Sequence, residues 1–249
     1  MRTNIVYVKT LDDKEDVVHL VKKYNLLAIP VLDTEMCMVG IVTVDDAMDV
    51  LQEENTEDLT LMAAISPSEE TYFGTSVLQH AKNRITWLLV LMLSATITGA
   101  IITHYESAFA MMPILVSFLP MLMNTGGNCG CQSSTLIIRS LALAEVNFSD
   151  FFRIVFKEFR ISLIISIVLS TVNGLRIYLI HRDLMLSLVV SLSLIATIVT
   201  AKIIGVALPL LAKKVNLDPA IMAAPLITTI VDATSITVYF SIAVKLFGV

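Results

Sequence analysis

Charged residues are scarce in this sequence and make up only 16% of its 249 residues. Soluble globular domains average about a quarter charged residues, whereas this chain has 56% hydrophobic residues and a mean hydropathy of +0.80. The composition therefore excludes an intrinsically disordered chain and points to a lipid bilayer. Basic residues are also in the minority, with a formal net charge of −5, which excludes a nucleic-acid binder that depends on a basic patch.

Cysteine is rare as well, since the chain has only 3, an odd number that excludes a disulfide-stapled secreted domain. Cys129 and Cys131 form a Cys-x-Cys pattern, but no further cysteine or histidine lies near them in sequence to complete a soft-metal site. We therefore expect both to be small packing residues. The first apolar run, residues 4–8, is too short for a cleavable signal peptide.

The charges that are present divide the chain into two parts. Residues 1–84 hold 15 acidic and 7 basic residues, a net charge of −8, whereas residues 85–249 hold 7 acidic and 10 basic residues, a net charge of +3. We predict an acidic soluble region followed by a weakly basic membrane region.

The soluble region shows the pattern of a small α/β unit, in the order strand, helix, strand, strand, helix. The segment PVLD…MVGIVTVDDAMDVL, with Gly40, Thr43 and Asp46, resembles a cystathionine-β-synthase (CBS) domain. The resemblance implies that Thr43 and Asp46 contact an adenine nucleotide such as ATP, while the alternative for Asp46 is a simple helix cap. Because one such unit is too small to be stable by itself, we expect it to pair with a second copy.

Acidic residues cluster in and after the second helix of this unit. Glu53 and Glu57 are one helical turn apart, so their like charges repel, and a divalent cation would relieve that repulsion. The alternative is an ordinary solvated acidic face. The cluster consists of Asp45, Asp46, Asp49, Glu53, Glu54, Glu57 and Asp58.

The membrane region contains apolar segments of about the 20 residues that a bilayer crossing requires. We predict an α-helical polytopic membrane protein with five transmembrane helices, at about 85–103, 108–125, 161–180, 186–211 and 220–244. The predicted domains are a cytosolic CBS domain over 1–63, a connecting helix over 64–84 and a five-helix pore domain over 85–249.

The lysine and arginine residues predict how these segments are oriented. Eight fall on one side of the spans and about three on the other, which favours a cytoplasmic N-terminus. Between the second and third spans, residues 147–160 show the pattern of a short amphipathic helix at the membrane interface.

Two polar features interrupt the apolar spans. The first is Asn124–Gln132 (NTGGNCGCQ), in which Gly126, Gly127 and Gly130 remove side chains and Asn128 and Gln132 add amide oxygens. Irregular backbone at membrane depth is tolerated where it lines a cavity, so this segment predicts a lined pathway. The alternative is close helix packing through small residues.

The second feature is Asp232, which falls near the bilayer centre, where a carboxylate costs about 2.5–3.5 kcal/mol. Thr228 lies on the same helix face, and Pro225 is expected to free a backbone carbonyl one or two turns earlier. Together these oxygens predict a cation path, with Lys202 as a counter-ion for Asp232. The alternative is a protonated aspartic acid that is hydrogen-bonded to a neighbouring helix.

Residues 120–146 and 218–240, together with the order of CBS domain, acidic helix and spans, resemble the MgtE-type magnesium transporter and channel family. The resemblance implies a homodimer with a pore at the subunit interface, gated by cytosolic Mg²⁺ through the CBS region and a connecting helix at residues 69–84. It also implies that the seven carboxylates of the acidic cluster, from Asp45 to Asp58, include regulatory Mg²⁺ ligands. Asp232 would hold hydrated Mg²⁺, and the other pore-lining residues would be Asn128, Gly126, Gly127, Gly130 and Thr228. The family's acidic N-terminal domain and first CBS unit find no counterpart here, so we expect a piece of a longer protein or a short form.

The resemblance and these patterns together predict a magnesium-selective channel or facilitative transporter in the cell (plasma) membrane, closed when cytosolic Mg²⁺ screens the acidic region. The alternative is a secondary transporter that couples Mg²⁺, Co²⁺ or Mn²⁺ movement to protons or sodium. The absence of imidazole or sulfur ligands beside Asp232 argues against zinc or copper as the preferred ion. An intramembrane aspartyl protease would need a second membrane aspartate, and the other predicted spans offer none.

Overall fold

The computed structural model describes residues 5–68, 70–106, 110, 112–222 and 224–247, and the chain divides into two compact units. The first unit covers residues 1–60 and the second covers residues 61–249.

The first unit is a three-stranded sheet with two helices, as the sequence predicts. β1 (Val8–Lys9) pairs in parallel with β2 (Ala28–Leu32), which pairs antiparallel with β3 (Met38–Thr43). Helix α1 (Lys14–Tyr24) connects β1 to β2, and α2 (Val44–Met62) follows β3 and ends beyond the unit boundary. The unit has a small apolar core, formed by Val8, Val18, Val21, Ile29 and Ala47.

Capping explains where α1 begins and ends. The Asp13 side chain accepts a hydrogen bond from the Glu15 amide, which satisfies one of the free donors at the helix N-terminus. At the other end Asn25 adopts a left-handed conformation with φ of 48°, and its amide reaches the Val21 and Lys22 carbonyls. Asparagine tolerates this conformation better than most residues, so the chain can turn directly into β2.

The second unit consists of long helices joined by short connections. They are α3 (Val77–His104), α4 (Leu119–Ala142), α5 (Phe151–His181), α6 (Leu184–Lys214) and α7 (Ala224–Phe247). Short 3₁₀ segments precede three of them, at Pro113–Phe118, Phe148–Asp150 and Pro219–Met222. Helix α6 is the most enclosed, because it packs against α4, α5 and α7. Helix α3 packs against α7. The main core includes Leu122, Ile198, Val231 and Tyr239.

Among the described residues, 4 helices are long and apolar enough to cross a membrane. They extend over Val77–His104, Phe148–His181, Leu184–Lys214 and Pro219–Phe247, and they confirm the helical membrane architecture. The predicted span 108–125 differs, because its described part is the 3₁₀ segment and the start of α4, and residues 108, 109 and 111 lie outside the described residues. The polar middle of α4 explains why this helix is not among the four, so a fifth crossing stays a prediction.

Two predicted segment boundaries are wrong. The interfacial helix at 147–160 and the span at 161–180 form one continuous helix, α5, which begins after a capping box between Asn147 and Asp150. Among its described residues, the predicted connecting helix over 64–84 is helical only from Val77 onwards, where the Ser76 side chain caps the start of α3. The capped start at Asn147–Asp150 agrees with the prediction, and only the break expected at residue 160 is wrong. Sequence periodicity could not locate the start of α3, because it depends on the side chain of Ser76.

Candidate functional site

Helices α4 and α7 run antiparallel and approach each other through the glycines of the NTGGNCGCQ segment. A Cβ atom added at Gly126 would lie 3.0 Å from Oγ of Ser235 on α7 and 2.8 Å from Cγ2 of Thr197 on α6. One added at Gly130 would lie 2.8 Å from Cγ2 of Ile227 on α7. Both glycines are buried within a regular α-helix. The irregular backbone expected at residues 124–132 is therefore wrong, and Gly126 and Gly130 instead make the close helix contacts that the sequence left open.

Gly127 makes a third contact of this kind, and it fixes the level of the polar residues. A Cβ atom at Gly127 would lie 3.1 Å from Cγ2 of Thr228. Because the two helices are antiparallel, Asn124 on α4 and Asp232 on α7 both lie about one turn from this contact in the same direction. The flank of the contact away from Gly126 and Gly130 therefore carries the polar groups of both helices.

On α4 this flank is a stripe of amides. Asn124, Asn128 and Gln132 recur at helical spacing and are all exposed, and Asn128 Nδ2 lies 3.4 Å from Asn124 Oδ1 as its donor. Asn128 belongs to the predicted site, whereas Asn124 was missed. The spacing of four residues between the two asparagines is the sequence signal that could have found it.

On α7 the site residue is Asp232, whose side chain is half-buried. Among the residues that the structure describes, none donates a hydrogen bond to its carboxylate, which speaks against the alternative of a hydrogen-bonded aspartic acid. The Thr228 and Thr229 hydroxyls donate to the Pro225 carbonyl at 2.9 and 3.0 Å. Pro225 does not interrupt a helix as expected, because α7 begins at Ala224 and proline fits in a first helical turn.

Lys202 is not the counter-ion of Asp232, and this prediction is wrong. Its Nζ atom lies 2.9 Å from Glu158 Oε1 and 3.0 Å from Ser133 Oγ, and the lysine is only 3% exposed. Glu158 was missed because the sequence placed it in an interfacial helix. Ser162, Ser166 and Ser170 form a buried stripe on α5 at intervals of four residues, and Glu158 continues this stripe one interval earlier. That repeat is the signal that could have revealed it.

In the first unit, Thr43 and Asp46 bind each other at the start of α2. The Thr43 hydroxyl donates to Asp46 Oδ2 at 2.6 Å and the Thr43 amide donates to the same oxygen at 3.0 Å. The hydrogen bond from the hydroxyl, and then that from the amide, lower the pKa of the Asp46 carboxyl. The structure therefore contains the helix-capping arrangement that was the alternative for Asp46, and nucleotide contact stays a prediction.

The seven candidate regulatory carboxylates lie along α2, mostly exposed. Glu54 forms an ion pair with Lys14, with 2.6 Å between Glu54 Oε1 and Lys14 Nζ, and Glu53 Oε2 lies 3.9 Å from the same Nζ atom. The hydrogen bond to Glu54 is the main cause that raises the pKa of Lys14. Within the described ranges, no group of three or more histidine, cysteine, aspartate or glutamate side chains is placed to hold a metal ion. A regulatory role for these carboxylates stays a prediction.

Comparison with protein families finds a matching family model for part of each unit. Residues 119–242 match the model described as MgtE, a divalent cation transporter, and residues 1–53 match that of the CBS domain. The chain carries an MgtE transporter domain. Proteins named magnesium transporter MgtE from Thermus thermophilus and Bacillus subtilis are both 36% identical to it over 243 residues, which cover 98% of this chain and 54% and 53% of the relatives. The chain thus spans about half the length of the curated relatives that it matches.

The MgtE match begins at Leu119, the first residue of α4, and ends within α7. It therefore contains the amide stripe, Asp232 and the cluster of Ser133, Glu158 and Lys202, whereas α3 lies outside it. The CBS match ends at Glu53, so the last three candidate regulatory carboxylates, Glu54, Glu57 and Asp58, follow it on the same helix.

Proposed function

We propose that the MgtE domain conducts Mg²⁺ across the cell membrane along a path lined by Asp232, Asn128 and Thr228. The observation that carries the proposal is the half-buried Asp232 carboxylate, which has no hydrogen-bond donor among the described residues. Its helix meets α4, which carries the exposed row of amides, at the contact of Gly127 with Thr228. A carboxylate at membrane depth is costly unless it has a partner, and a passing cation supplies one. The name of the relatives, magnesium transporter MgtE, supports Mg²⁺ as that cation.

The chemistry of the site suits a hydrated magnesium ion. Mg²⁺ gives up its water reluctantly and prefers oxygen ligands, so amide and carboxylate oxygens that contact its water shell are sufficient. In a homodimer with the path at the subunit interface, two copies of Asp232 would neutralise the ion. The exposed amide face of α4 supports this arrangement, because amides facing lipid would lack hydrogen-bond partners. Gly126, Gly127 and Gly130 contribute by bringing α4 close to α7.

Regulation is a second part of the proposal. With the N-terminus in the cytoplasm, Mg²⁺ would bind the exposed carboxylates of α2 and close the path when its cytosolic concentration is high. The repulsion among these like charges supports the idea, because a divalent cation relieves it. A nucleotide such as ATP would bind the CBS domain near Thr43 and Asp46, at the N-terminus of α2.

Liposome flux tests the pore assignment. The full chain is reconstituted around a Mg²⁺-sensitive dye, and the initial rate of Mg²⁺ influx is compared with that of Asp232→Asn. We expect the variant to fall to the rate of protein-free liposomes, because it loses the charge that attracts the ion. Asp183→Asn is the matched control, since Asp183 caps α6 and asparagine caps a helix equally well. Unchanged influx in Asp232→Asn would refute the assignment.

The same liposomes separate a channel from the alternative, a transporter coupled to protons or sodium. We expect Mg²⁺ influx to follow the Mg²⁺ gradient alone. Influx that requires an imposed pH or sodium gradient would instead establish the coupled mechanism.

Regulation is tested by the quadruple variant Glu53→Gln, Glu54→Gln, Glu57→Gln and Asp58→Asn. We expect weaker inhibition by Mg²⁺ on the cytoplasmic side with unchanged preference among cations, because these residues lie far along α2 and not on α4 or α7. Unchanged inhibition would make the acidic segment a plain solvated face.

A further inference from the structure

Three helices of the second unit meet at a buried polar cluster that the proposed conduction path does not use. Lys202 of α6 donates to Glu158 Oε1 of α5 at 2.9 Å and to Ser133 Oγ of α4 at 3.0 Å. The Ser133 hydroxyl in turn donates to Glu158 Oε1 at 2.6 Å, which closes a triangle of hydrogen bonds. The three residues are 3%, 9% and 1% exposed, in the order lysine, glutamate, serine.

Such a cluster is a poor way to stabilise a fold. Burying an ion pair costs several kcal/mol for each ion, and apolar replacements of similar size are often equally stable or more stable. An ion pair with a shared hydroxyl, however, tolerates little displacement, because its three bonds need all three helices in one register. The best-attested use of buried polar groups of this kind is to select one register.

The cluster acts directly on α4, the helix that carries the amide stripe. One turn from Ser133, the Gly130 carbonyl lies against Gly205, and Lys202 is one turn from Gly205 on the same face of α6. Ser133 and Gly130 therefore fix α4 against α6 at two neighbouring levels. Asn128 is five residues from Ser133, about 7.5 Å along the helix axis and on the opposite, exposed face.

We propose that Glu158 and Lys202, acting through Ser133, are positioning residues that fix the rotation and register of α4 and thereby hold the Asn128 amide beside Asp232. They would set the preference of the path for Mg²⁺ over Co²⁺ and other divalent cations, because cation selectivity depends on where the lining oxygens stand. This inference rests on the proposed function, since it concerns the same path.

Two variants test it in the full chain. Ser133→Ala cuts the link between α4 and the ion pair but leaves the pair intact. The double variant Glu158→Gln/Lys202→Met removes both charges together, so that no unpaired charge is left buried. The matched control is Ser162→Ala, because Ser162 is a fully buried serine whose hydroxyl bonds to the Phe159 carbonyl of its own helix.

The measurement is the ratio of Mg²⁺ to Co²⁺ influx rates into liposomes, with thermal unfolding in detergent as a check of folding. We expect Ser133→Ala and the double variant to fold and to lower the ratio by about 3-fold or more, while Ser162→Ala keeps the wild-type ratio. If the double variant does not fold, Ser133→Ala alone decides the question.

A wild-type ratio in folded Ser133→Ala would overturn the inference, and so would an equal fall of the ratio in Ser162→Ala. Failure of the proposed function is distinguishable, because the wild-type chain would then conduct no Mg²⁺ in any of these liposomes.

Discussion

Gly205 is the position where the packing of the second unit is tested most severely. It lies on α6 where that helix crosses α4, and a Cβ atom added there would collide with the backbone carbonyl oxygen of Gly130. A flexible side chain could rotate away from such a contact, but a helical carbonyl cannot. Gly205→Ala therefore forces α4 and α6 apart along their whole crossing.

The size of the effect follows from two opposing terms. Overpacking a well-packed core costs about 1–3 kcal/mol, and a collision with backbone belongs at the upper end. The higher helix propensity of alanine offsets about 1 kcal/mol. We expect a net loss of about 2 kcal/mol in the free energy of unfolding, or roughly a 30-fold change in the ratio of folded to unfolded chains.

The assay is equilibrium unfolding of the purified full chain in detergent micelles. Gly99→Ala is the matched control, because Gly99 also lies inside a long helix, α3, and an added Cβ atom meets nothing within 4 Å. We expect Gly99→Ala to be as stable as the wild type or more stable. Wild-type stability in Gly205→Ala, or an equal loss in both variants, would refute the described crossing of α4 and α6.

Two further predictions concern single hydrogen bonds. Tyr239→Phe should lower the free energy of unfolding by about 1–2 kcal/mol, because the buried Tyr239 hydroxyl donates to the Leu115 carbonyl at 3.0 Å. Tyr105→Phe is the control and should change it little, because it loses only an exposed 3.4 Å contact with Ser241. Equal losses for both variants in thermal unfolding would contradict this prediction. The lowered pKa of Asp46 means that its contribution to stability is present above the pKa of the unfolded carboxyl, about 4, and is lost as the pH falls through the folded value. Amide exchange at the start of α2, corrected for the intrinsic effect of pH, should therefore accelerate in acid in the wild type but much less in Asp46→Asn, and identical acid profiles would remove Asp46 as the cause.

The sequence predicts most of the fold, because its signals are local. Long apolar runs identify α3, α6 and α7, and the alternation of short segments identifies the α/β unit. The break predicted within α5 at residue 160 was wrong because Phe, Arg and Lys at 151–160 have the composition of an interface, whereas Ile154 and Val155 pack into a helix core. That packing is a tertiary fact which no local pattern encodes.

The candidate site could be predicted in its chemistry but not in its neighbours. Asp232 and Asn128 are conspicuous in apolar surroundings, and the structure brings their helices together. Glycines in a polar segment are equally consistent with lining a path and with close packing, and only the distances to Thr197, Ser235 and Ile227 decide for packing. The serine spacing on α5 marks Glu158 as lying on a buried face, but its pairing with Lys202 could not be predicted, because the two residues are 44 apart in sequence and meet only where three helices pack together.

The most direct test of the central claim is the initial rate of Mg²⁺ influx into liposomes that contain the unmodified chain, driven by a Mg²⁺ gradient with no pH or sodium gradient. The account predicts influx well above that of protein-free liposomes, and its loss in Asp232→Asn but not in Asp183→Asn. Influx no faster than in protein-free liposomes would contradict the claim that this domain conducts magnesium.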